Sequence, residues 1–294
     1  SNTALNQCYF SSLSCLFINY FGNMEAMNKI EHYLNVAKEI SMEAGCFLKK
    51  NFGNKKKIEY KGDVNLVTSC DKASQDLIYK KLKSHFPHHG FLAEENLEHR
   101  GEEFRWIIDP LDGTTNYAHG YPVFCVSIAL EYRGKIILGV VYNPMLDELF
   151  WGIENKGAFL NNKKIKVSST KELDKSLLAT GFPYDLRESK NNNINHFNNF
   201  VLKAQAVRRC GSAALDLCYV ACGRLDGFWE LKLFPWDIAA GMLIVKEAGG
   251  RVSDFKNNVI DIHAKEIVAS NGLIHSQMIE ILKLGEQNGE VKSQ

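Results

Sequence analysis

The chain has 294 residues, of which 45% are hydrophobic and 23% charged, and its formal net charge is +1. This balance is ordinary for a soluble globular protein and gives the chain as a whole no strongly basic or acidic, nucleic-acid-binding character. No apolar run of about 18 residues occurs, so no membrane-spanning helix is expected. The eight cysteines are scattered through apolar patterns and do not form a disulfide framework, which predicts a reduced, cytoplasmic protein.

Residues 1–23 are interpreted as an N-terminal extension that is poorly ordered or in part non-native. The segment does not begin with methionine and contains no Lys or Arg, whereas a signal peptide begins with a basic region. We expect the folded chain to begin near Met24 or Met27. It then divides into an α+β half at 24–169 and an α/β half at 170–294, where the pattern of elements changes.

The first half is predicted to place two helices on a largely antiparallel sheet. Apolar residues recur every three or four positions in the helices, and short apolar runs between turn residues mark the strands. A polar loop begins at Lys61, and Asp71 lies either at the cap of the second helix or in a functional site. The predicted elements are helices at 27–49 and 72–86 and strands at 91–95, 105–108, 124–132, 135–142, 149–153 and 158–160.

The clearest functional signal lies at residues 106–121, which read WIIDPLDGTTNYAHGY. An apolar strand runs directly into Asp109 and Asp112, which flank a proline. Two carboxylates at that position repel each other unless a cation or a proton lies between them. Gly113 lets the backbone approach an anion, and Thr114 can cap a following helix. The stretch therefore predicts a divalent-metal site that faces a phosphate.

Two glutamates, Glu94 and Glu95, end the strand that precedes this one in the chain. Successive strand side chains point to opposite faces, so only one of the two is expected to point into a given site.

The second half is predicted to alternate strands with helices, which indicates an α/β arrangement. An Asn-rich loop at 189–195 is expected to be exposed and without chemistry. The predicted strands are 176–180, 206–209, 228–231, 251–253 and 267–269, and the helices are 196–203, 211–222, 235–246 and 273–284.

Three places in this half are candidates to complete the site. Asp237 begins a helix, where the alternative is a capping role. Gly211, Ser212 and Ala213 open another helix, so their N–H groups are expected to be free for a ligand oxygen, unless the small residues serve tight packing. Glu230 lies one strand before Asp237, and the alternative to a role in the site is that it is an exposed surface charge. An all-oxygen ligand set from such carboxylates favours Mg²⁺, Mn²⁺ or Ca²⁺ over zinc.

These residues resemble the inositol monophosphatase family, which belongs to the lithium-sensitive, metal-dependent phosphatases. The resemblance covers residues 27–285 and implies a layered αβαβα sandwich like that of inositol monophosphatase and fructose-1,6-bisphosphatase. The matching segments are Ala-Glu94-Glu95, Asp109-Pro-Leu-Asp112-Gly-Thr114, Gly211-Ser-Ala213 and Trp236-Asp237-Ile-Ala-Ala-Gly.

The resemblance implies two to three Mg²⁺ ions per site, with Mn²⁺ as a substitute. One ion would use Glu94, Asp109 and the Leu111 carbonyl, and a second would use Asp109, Asp112 and Asp237. A third, weaker ion would use Glu94 and waters.

The same resemblance implies roles around the phosphate. Thr114 would orient the attacking water, Asp71 would polarise Thr114, and Lys61 would belong to a mobile loop. The residues implied to contact the substrate are Asp112, Gly113, Thr114, Gly211, Ser212, Ala213, Glu230 and Asp237.

The implied function is Mg²⁺-dependent hydrolysis of myo-inositol monophosphate by metal-activated water, in a homodimer. Related members act on fructose 1,6-bisphosphate, 3′-phosphoadenosine 5′-phosphate or histidinol phosphate. A second phosphate would need cations, for which Arg208 and Arg209 are candidates, although a surface role is favoured for both. A hypothesis of another class is a non-catalytic regulatory protein on the same fold that contacts the transcription or RNA machinery.

Overall fold

The computed structural model describes residues 28–53, 58–60 and 66–288. The predicted extension at 1–23 and the loop residue Lys61 lie outside these ranges. The described chain forms five layers, in the order helix pair, eight-stranded sheet, helix pair, five-stranded sheet and helix pair. This is the αβαβα sandwich that the sequence predicts, so the predicted fold is confirmed.

The first half is built on the eight-stranded sheet. Helix α1 covers residues 28–51 and packs with α2 (Ser69–His85) on the outer face of this sheet. A short helix, α3 (Thr114–Ala118), follows β5. The strands are β1 (Ile58–Tyr60), β2 (Leu66–Thr68), β3 (Gly90–Ala93), β4 (Leu97–His99), β5 (Phe104–Asp112), β6 (Cys125–Tyr132), β7 (Lys135–Asn143), β8 (Glu148–Ile153), β9 (Gly157–Leu160) and β10 (Lys163–Ile165).

The strand order of this sheet is β10-β9-β8-β7-β6-β5-β3-β4, and β1 and β2 form a separate antiparallel pair. Neighbouring strands in the large sheet are antiparallel except β3 and β5, which run parallel. The predicted, largely antiparallel sheet is therefore confirmed.

The second half is built on the five-stranded sheet, and the predicted boundary at 169–170 lies between β10 and β11. The strand order is β12-β11-β13-β15-β14, with β12, β11 and β13 parallel and the others antiparallel. Helices α5 and α6 lie between the two sheets, and α4 and α7 cover the outer face. The elements are β11 (Leu177–Thr180), α4 (Ile194–Val201), β12 (Ala206–Arg208), α5 (Ala213–Ala221), β13 (Gly227–Leu231), α6 (Pro235–Glu247), β14 (Arg251–Ser253), β15 (Glu266–Ser270) and α7 (His275–Asn288), with a 3₁₀ helix at Leu173–Lys175.

Strand β5 is anchored in two hydrophobic cores. Trp106 and Ile108 pack with α1 and α2, whereas Ile107 packs in the core that contains α5 and α6. Strand side chains alternate between faces, which explains why this run is apolar at every position. Complete burial of an Ile side chain stabilises the fold by about 1.5–3 kcal/mol. The strand that carries the two aspartates is thus rigidly placed.

Two details differ from the sequence prediction. Helix α2 begins at Ser69, directly after β2, so Asp71 lies in its first turn and not at its cap. The loop at 189–195 is not uniformly exposed, because Asn193 is buried, with φ at 72°. The Asn193 Nδ2 donates to Thr180 Oγ1 at 2.9 Å and to the Gly181 carbonyl at 2.6 Å, while its Oδ1 accepts from Trp229 Nε1 at 2.9 Å. The left-handed backbone that Asn tolerates turns this amide inward.

The six cysteines within the described residues are free, as the sequence predicts for them. Among the described helices, none is long and apolar enough to cross a bilayer.

Candidate active site

Asp109 and Asp112 lie on a bulge at the end of β5. Their pairing with β6 shifts register between the two residues. Pro110 has no N–H to donate to the ladder, and the Leu111 N–H donates instead to Asp109 Oδ1 at 3.0 Å. Both aspartates are buried and line one cavity. The bulge therefore explains how two carboxylates three residues apart reach the same site.

Asp112 is held by the beginning of α5. Its Oδ2 accepts hydrogen bonds from Ser212 Oγ at 2.6 Å and from the Ala214 N–H at 2.8 Å, and Cys125 Sγ lies 3.7 Å away. Burial raises the pKa of Asp112, and the donors, including the Ala213 N–H, oppose that rise. The expectation that the N–H groups at this helix start are free for a ligand is wrong for Ala213, because its N–H, like that of Ala214, interacts with Asp112.

Thr114 is backed by Asp71. Its Oγ1 lies 2.9 Å from Asp71 Oδ1 and 3.0 Å from the Leu111 carbonyl oxygen. A hydroxyl donates one hydrogen at a time, so lone pairs of the Thr114 oxygen remain able to accept a hydrogen from the cavity. Ser74 Oγ donates to the Pro110 carbonyl at 2.8 Å, which fastens α2 to β5 and keeps Asp71 behind Thr114.

Gly113 joins β5 to α3 in a conformation that favours glycine. Its φ is 94°, and a Cβ there would lie 2.8 Å from the Val123 carbonyl oxygen. Asn116 Nδ2 donates to the carbonyl oxygens of Val123 and Cys210, both at 2.8 Å. These contacts hold the Gly113 backbone at the cavity wall, where an anion can approach it.

Glu94 and Glu95 lie in the turn after β3. Because β3 ends at Ala93, the alternation of strand side chains no longer applies to them. Carboxylate oxygens of both glutamates and of Asp71 lie within 4.8 Å of one another. Of the two glutamates, only Glu94 lines the cavity that contains Asp109 and Asp112. Gln75 fixes the turn through hydrogen bonds of 3.0 and 3.1 Å with the Glu95 backbone.

Asp237 lies in the first turn of α6 and faces the same cavity. Its Oδ2 accepts the Phe234 N–H at 2.7 Å, so it combines the capping role with a place in the site. Burial raises the pKa of Asp109 most, and the charges of Glu94, Asp112 and Asp237 raise it further. Four carboxylates from three segments, namely β5, the turn after β3 and α6, thus repel one another, and a bound divalent cation relieves such repulsion.

Three further charged side chains, those of Glu230, Asp216 and Arg209, line the same cavity. Burial, reinforced by the charge of Asp216 and opposed by that of Arg209, raises the pKa of Glu230 to about 8. A Cβ on Gly181 would lie 2.1 Å from Glu230 Oε1, so any larger residue there would force this carboxylate to shift. Arg209 is exposed, as the surface role favoured from sequence requires, and its side chain also lines the cavity.

Asp216 is a cavity residue that the sequence patterns do not single out. It is buried in α5, and its Oδ1 has no hydrogen-bond partner among the described residues. Burial and then the charge of Asp112 raise its pKa well above the ordinary carboxyl value. One signal could have identified it, because Asp216 is the only charged residue in the helix sequence AALDLCYVA.

Nearly all of the predicted site residues line this cavity. Asp71 lies behind Thr114 and not on the cavity wall, and Lys61 is outside the described residues. The predicted residues that line the cavity are Glu94, Asp109, Leu111, Asp112, Gly113, Thr114, Gly211, Ser212, Ala213, Glu230 and Asp237.

Comparison with known proteins assigns this site to a family. The model of the inositol monophosphatase family matches residues 29–286. The chain belongs to the inositol monophosphatase family. The predicted resemblance is confirmed, and the protein is a phosphatase.

Several inositol monophosphatases match this chain over nearly its whole length. Inositol monophosphatase 3 of Solanum lycopersicum is 46% identical over 267 residues, which are 88% of this chain and 99% of that protein. The solved inositol monophosphatase from Anabaena (Nostoc) has a TM-score of 0.79 at 45% identity and covers 87% of this chain and 96% of that one. The Nus factor SuhB of Vibrio cholerae is 43% identical over 242 residues, 81% of this chain and 91% of that protein.

Proposed function

We propose that this phosphatase hydrolyses phosphate monoesters with Mg²⁺ and that its principal substrate is myo-inositol monophosphate. The observation that carries the proposal is the convergence on one cavity of four carboxylates and of a threonine that is hydrogen-bonded to Asp71. These residues are Glu94, Asp109, Asp112, Asp237 and Thr114.

The donor set fits Mg²⁺. All candidate ligands are oxygen atoms, which Mg²⁺ and Mn²⁺ prefer, and buried carboxylates that repel one another are neutralised by divalent cations. Asp109 is central, so we assign it to two ions. Glu94 and the Leu111 carbonyl would complete one ion's protein ligands, and Asp112 and Asp237 the other's. When bound, the ions would supply an activated water and neutralise the leaving oxygen.

The protein groups orient the reactants. Asp71 accepts the Thr114 hydroxyl hydrogen, so the Thr114 oxygen accepts a hydrogen of the attacking water and directs that water at phosphorus. The Gly113 backbone borders the phosphate. Glu230, with a pKa raised to about 8, is available both as a protonated donor and as an ionised acceptor for hydroxyls of the leaving alcohol.

The charge of the cavity favours a polyol leaving group. Asp216 and Glu230 line the cavity, and we assign them to the side that binds the alcohol; Arg209 is the only cation among the described lining residues. A second phosphate would therefore meet two carboxylates and one guanidinium, whereas hydroxyls suit both carboxylates. This supports an inositol monophosphate over a sugar bisphosphate or a nucleotide bisphosphate.

A substrate panel tests this proposal. Phosphate release is measured with inositol 1-phosphate, fructose 1,6-bisphosphate, 3′-phosphoadenosine 5′-phosphate and histidinol phosphate, with and without Mg²⁺ and Li⁺. We expect the highest kcat/KM for inositol 1-phosphate, a requirement for Mg²⁺ and inhibition by Li⁺. The Asp109→Asn variant should keep its circular dichroism spectrum and lose Mg²⁺-dependent turnover. Retained turnover in this variant would disprove the assignment of Asp109 as the shared ligand.

A second candidate function is contact with the transcription machinery, and the similarity to a Nus factor supports it. Such a role depends on the protein surface and not on turnover. It predicts that Asp109→Asn still associates with transcription elongation complexes in pull-down experiments, whereas no association of the native chain would argue against it.

A further inference from the structure

The cavity mouth carries exposed aromatic rings. Three large aromatic side chains among the described residues are about half exposed, namely Tyr121 at 51%, Tyr184 at 55% and Phe234 at 49%. Two of the three, Tyr184 and Phe234, line the active-site cavity. Exposed rings gathered at the mouth of a polar site are typical of ligand recognition.

Phe234 occupies a position where its residue type is unfavourable. It is the N-cap of α6, where Ser, Thr, Asp or Asn normally accepts a hydrogen bond from the first turn. The phenyl ring has no acceptor, so only the reciprocal bond, from the Phe234 N–H to Asp237, is made. Phe234 is an unfavourable N-cap, and its half-exposed ring does not compensate by burial in the core. Such a residue beside a functional site indicates a functional role for its side chain.

The Phe234 ring is held in a fixed orientation. It stacks on Trp236, with ring centroids 5.0 Å apart and planes inclined by 9°. One face is thereby covered, so the exposed half of the side chain is its other face and its edge. Trp236 itself lines the cavity. The stack thus presents a flat apolar surface.

Tyr184 lies close to the metal-binding carboxylates. The Tyr184 side chain lines the same cavity as Glu94 and Asp237, and Phe234 is three residues before Asp237. Both rings border the region into which the alcohol part of a bound phosphate ester must extend.

We propose that Phe234 and Tyr184 form an aromatic subsite that binds a planar ring in the alcohol part of the substrate. The phosphatase then also hydrolyses phosphate monoesters of aromatic alcohols. Water attacks phosphorus, the P–O bond to the alcohol breaks, and the products are inorganic phosphate and the aromatic alcohol. The hydrolytic part of this inference rests on the proposed function, whereas ring binding does not.

The Phe234→Ser variant tests the subsite. Phenyl phosphate and glycerol 2-phosphate are compared, because only the first carries a ring. Stacking of one aromatic pair corresponds to about a 3- to 10-fold effect, so we expect kcat/KM for phenyl phosphate to fall by this factor. The value for glycerol 2-phosphate should change much less, because this substrate has no ring to stack on Phe234. The serine supplies the missing cap, so the melting temperature should rise.

A higher melting temperature together with a lower kcat/KM for phenyl phosphate in Phe234→Ser would exclude general damage to the fold. The Phe234→Leu variant is a matched control that keeps an apolar side chain without a ring or a cap. It should lose phenyl phosphate turnover without the rise in melting temperature. Equal changes for both substrates in either variant would overturn the subsite.

Binding separates this inference from the proposed function. Calorimetry with phenylphosphonate and methylphosphonate in Mg²⁺ measures ring recognition without turnover. We expect phenylphosphonate to bind more tightly to the native chain, and Phe234→Ser to reduce this preference about 3- to 10-fold. If no phosphoester is hydrolysed but the preference is present, the proposed function fails and the subsite stands. If neither chain prefers the phenyl ligand, the subsite is refuted.

Discussion

Replacing Asn193 by Asp tests how the cavity wall is supported. The native amide donates to Thr180 Oγ1 and the Gly181 carbonyl and accepts from Trp229 Nε1. Aspartate is almost the same size, and it can still accept from Trp229. It loses both donors, and an oxygen then faces the Gly181 carbonyl at the former 2.6 Å contact.

The expected cost has two parts. Two buried acceptors lose their hydrogen bonds, at about 1–2 kcal/mol each, which gives a destabilisation of about 2–4 kcal/mol at any pH. In addition, burial raises the pKa of the new carboxyl above its unfolded value of about 3.9. A group with a raised folded pKa is best tolerated below its unfolded pKa and destabilises increasingly as the pH rises through the folded pKa. Each unit of elevation adds about 1.4 kcal/mol at high pH, so we expect a further 1–3 kcal/mol or so at pH 8 relative to pH 5.

The assay is urea unfolding followed by circular dichroism at pH 5 and pH 8. The matched control is Asn191→Asp, which adds the same charge at an exposed position of the same loop. The pH-dependent changes in the free energy of unfolding of the native chain and of the control are subtracted. The remainder is the contribution of the buried carboxyl. An Asn193→Asp variant destabilised equally at both pH values, or by less than about 1 kcal/mol, would refute the assignment of Asn193 as a buried donor.

Three further outcomes are expected. Thr114→Val removes the hydroxyl that orients water and the hydrogen bond to the buried Asp71 carboxylate, so kcat should fall about 100-fold and the free energy of unfolding by about 1–3 kcal/mol; a kcat within a few-fold of native would contradict the mechanism. Gly181→Ala forces a methyl group against Glu230, so KM for inositol phosphate should rise while inhibition by inorganic phosphate stays constant; parallel changes in both would contradict this. Burial lowers the pKa of His275 to about 4, so the unfolded chain binds the proton first and stability should fall between pH 6.5 and pH 4 by up to about 3 kcal/mol. His275→Asn should remove this part of the acid sensitivity measured by urea unfolding, and an unchanged pH profile would refute it.

The sequence could predict those site residues whose chemistry has no packing explanation. Asp109 and Asp112 interrupt an apolar strand, and Asp237 opens an apolar helix, so each was visible locally. The strands and helices were predictable for the same reason, because their periodicity is local. The contact of Thr114 with Asp71 joins residues 43 positions apart, and only the resemblance to a known family indicated it.

Other site residues depend on long-range packing. Asp216 and Asn193 are placed in the interior by the docking of α5 and of the loop before α4, which no periodicity in their own segments indicates. The prediction of free N–H groups at the start of α5 failed because their partner, Asp112, belongs to the other half of the chain.

The bond between Asp112 and α5 has a consequence for synthesis on the ribosome. Asp112 precedes Ala214 by 102 residues. At about 5–20 residues per second, the aspartate is made roughly 5–20 s before the helix that satisfies it. From the completion of β10 at Ile165 until α5 and α6 have been made, the eight-stranded sheet lacks the helix pair that covers its inner face, and its apolar side chains face water. The nascent first half is therefore the stage at which this chain is most exposed to aggregation, and the active site is completed only after the second half has emerged.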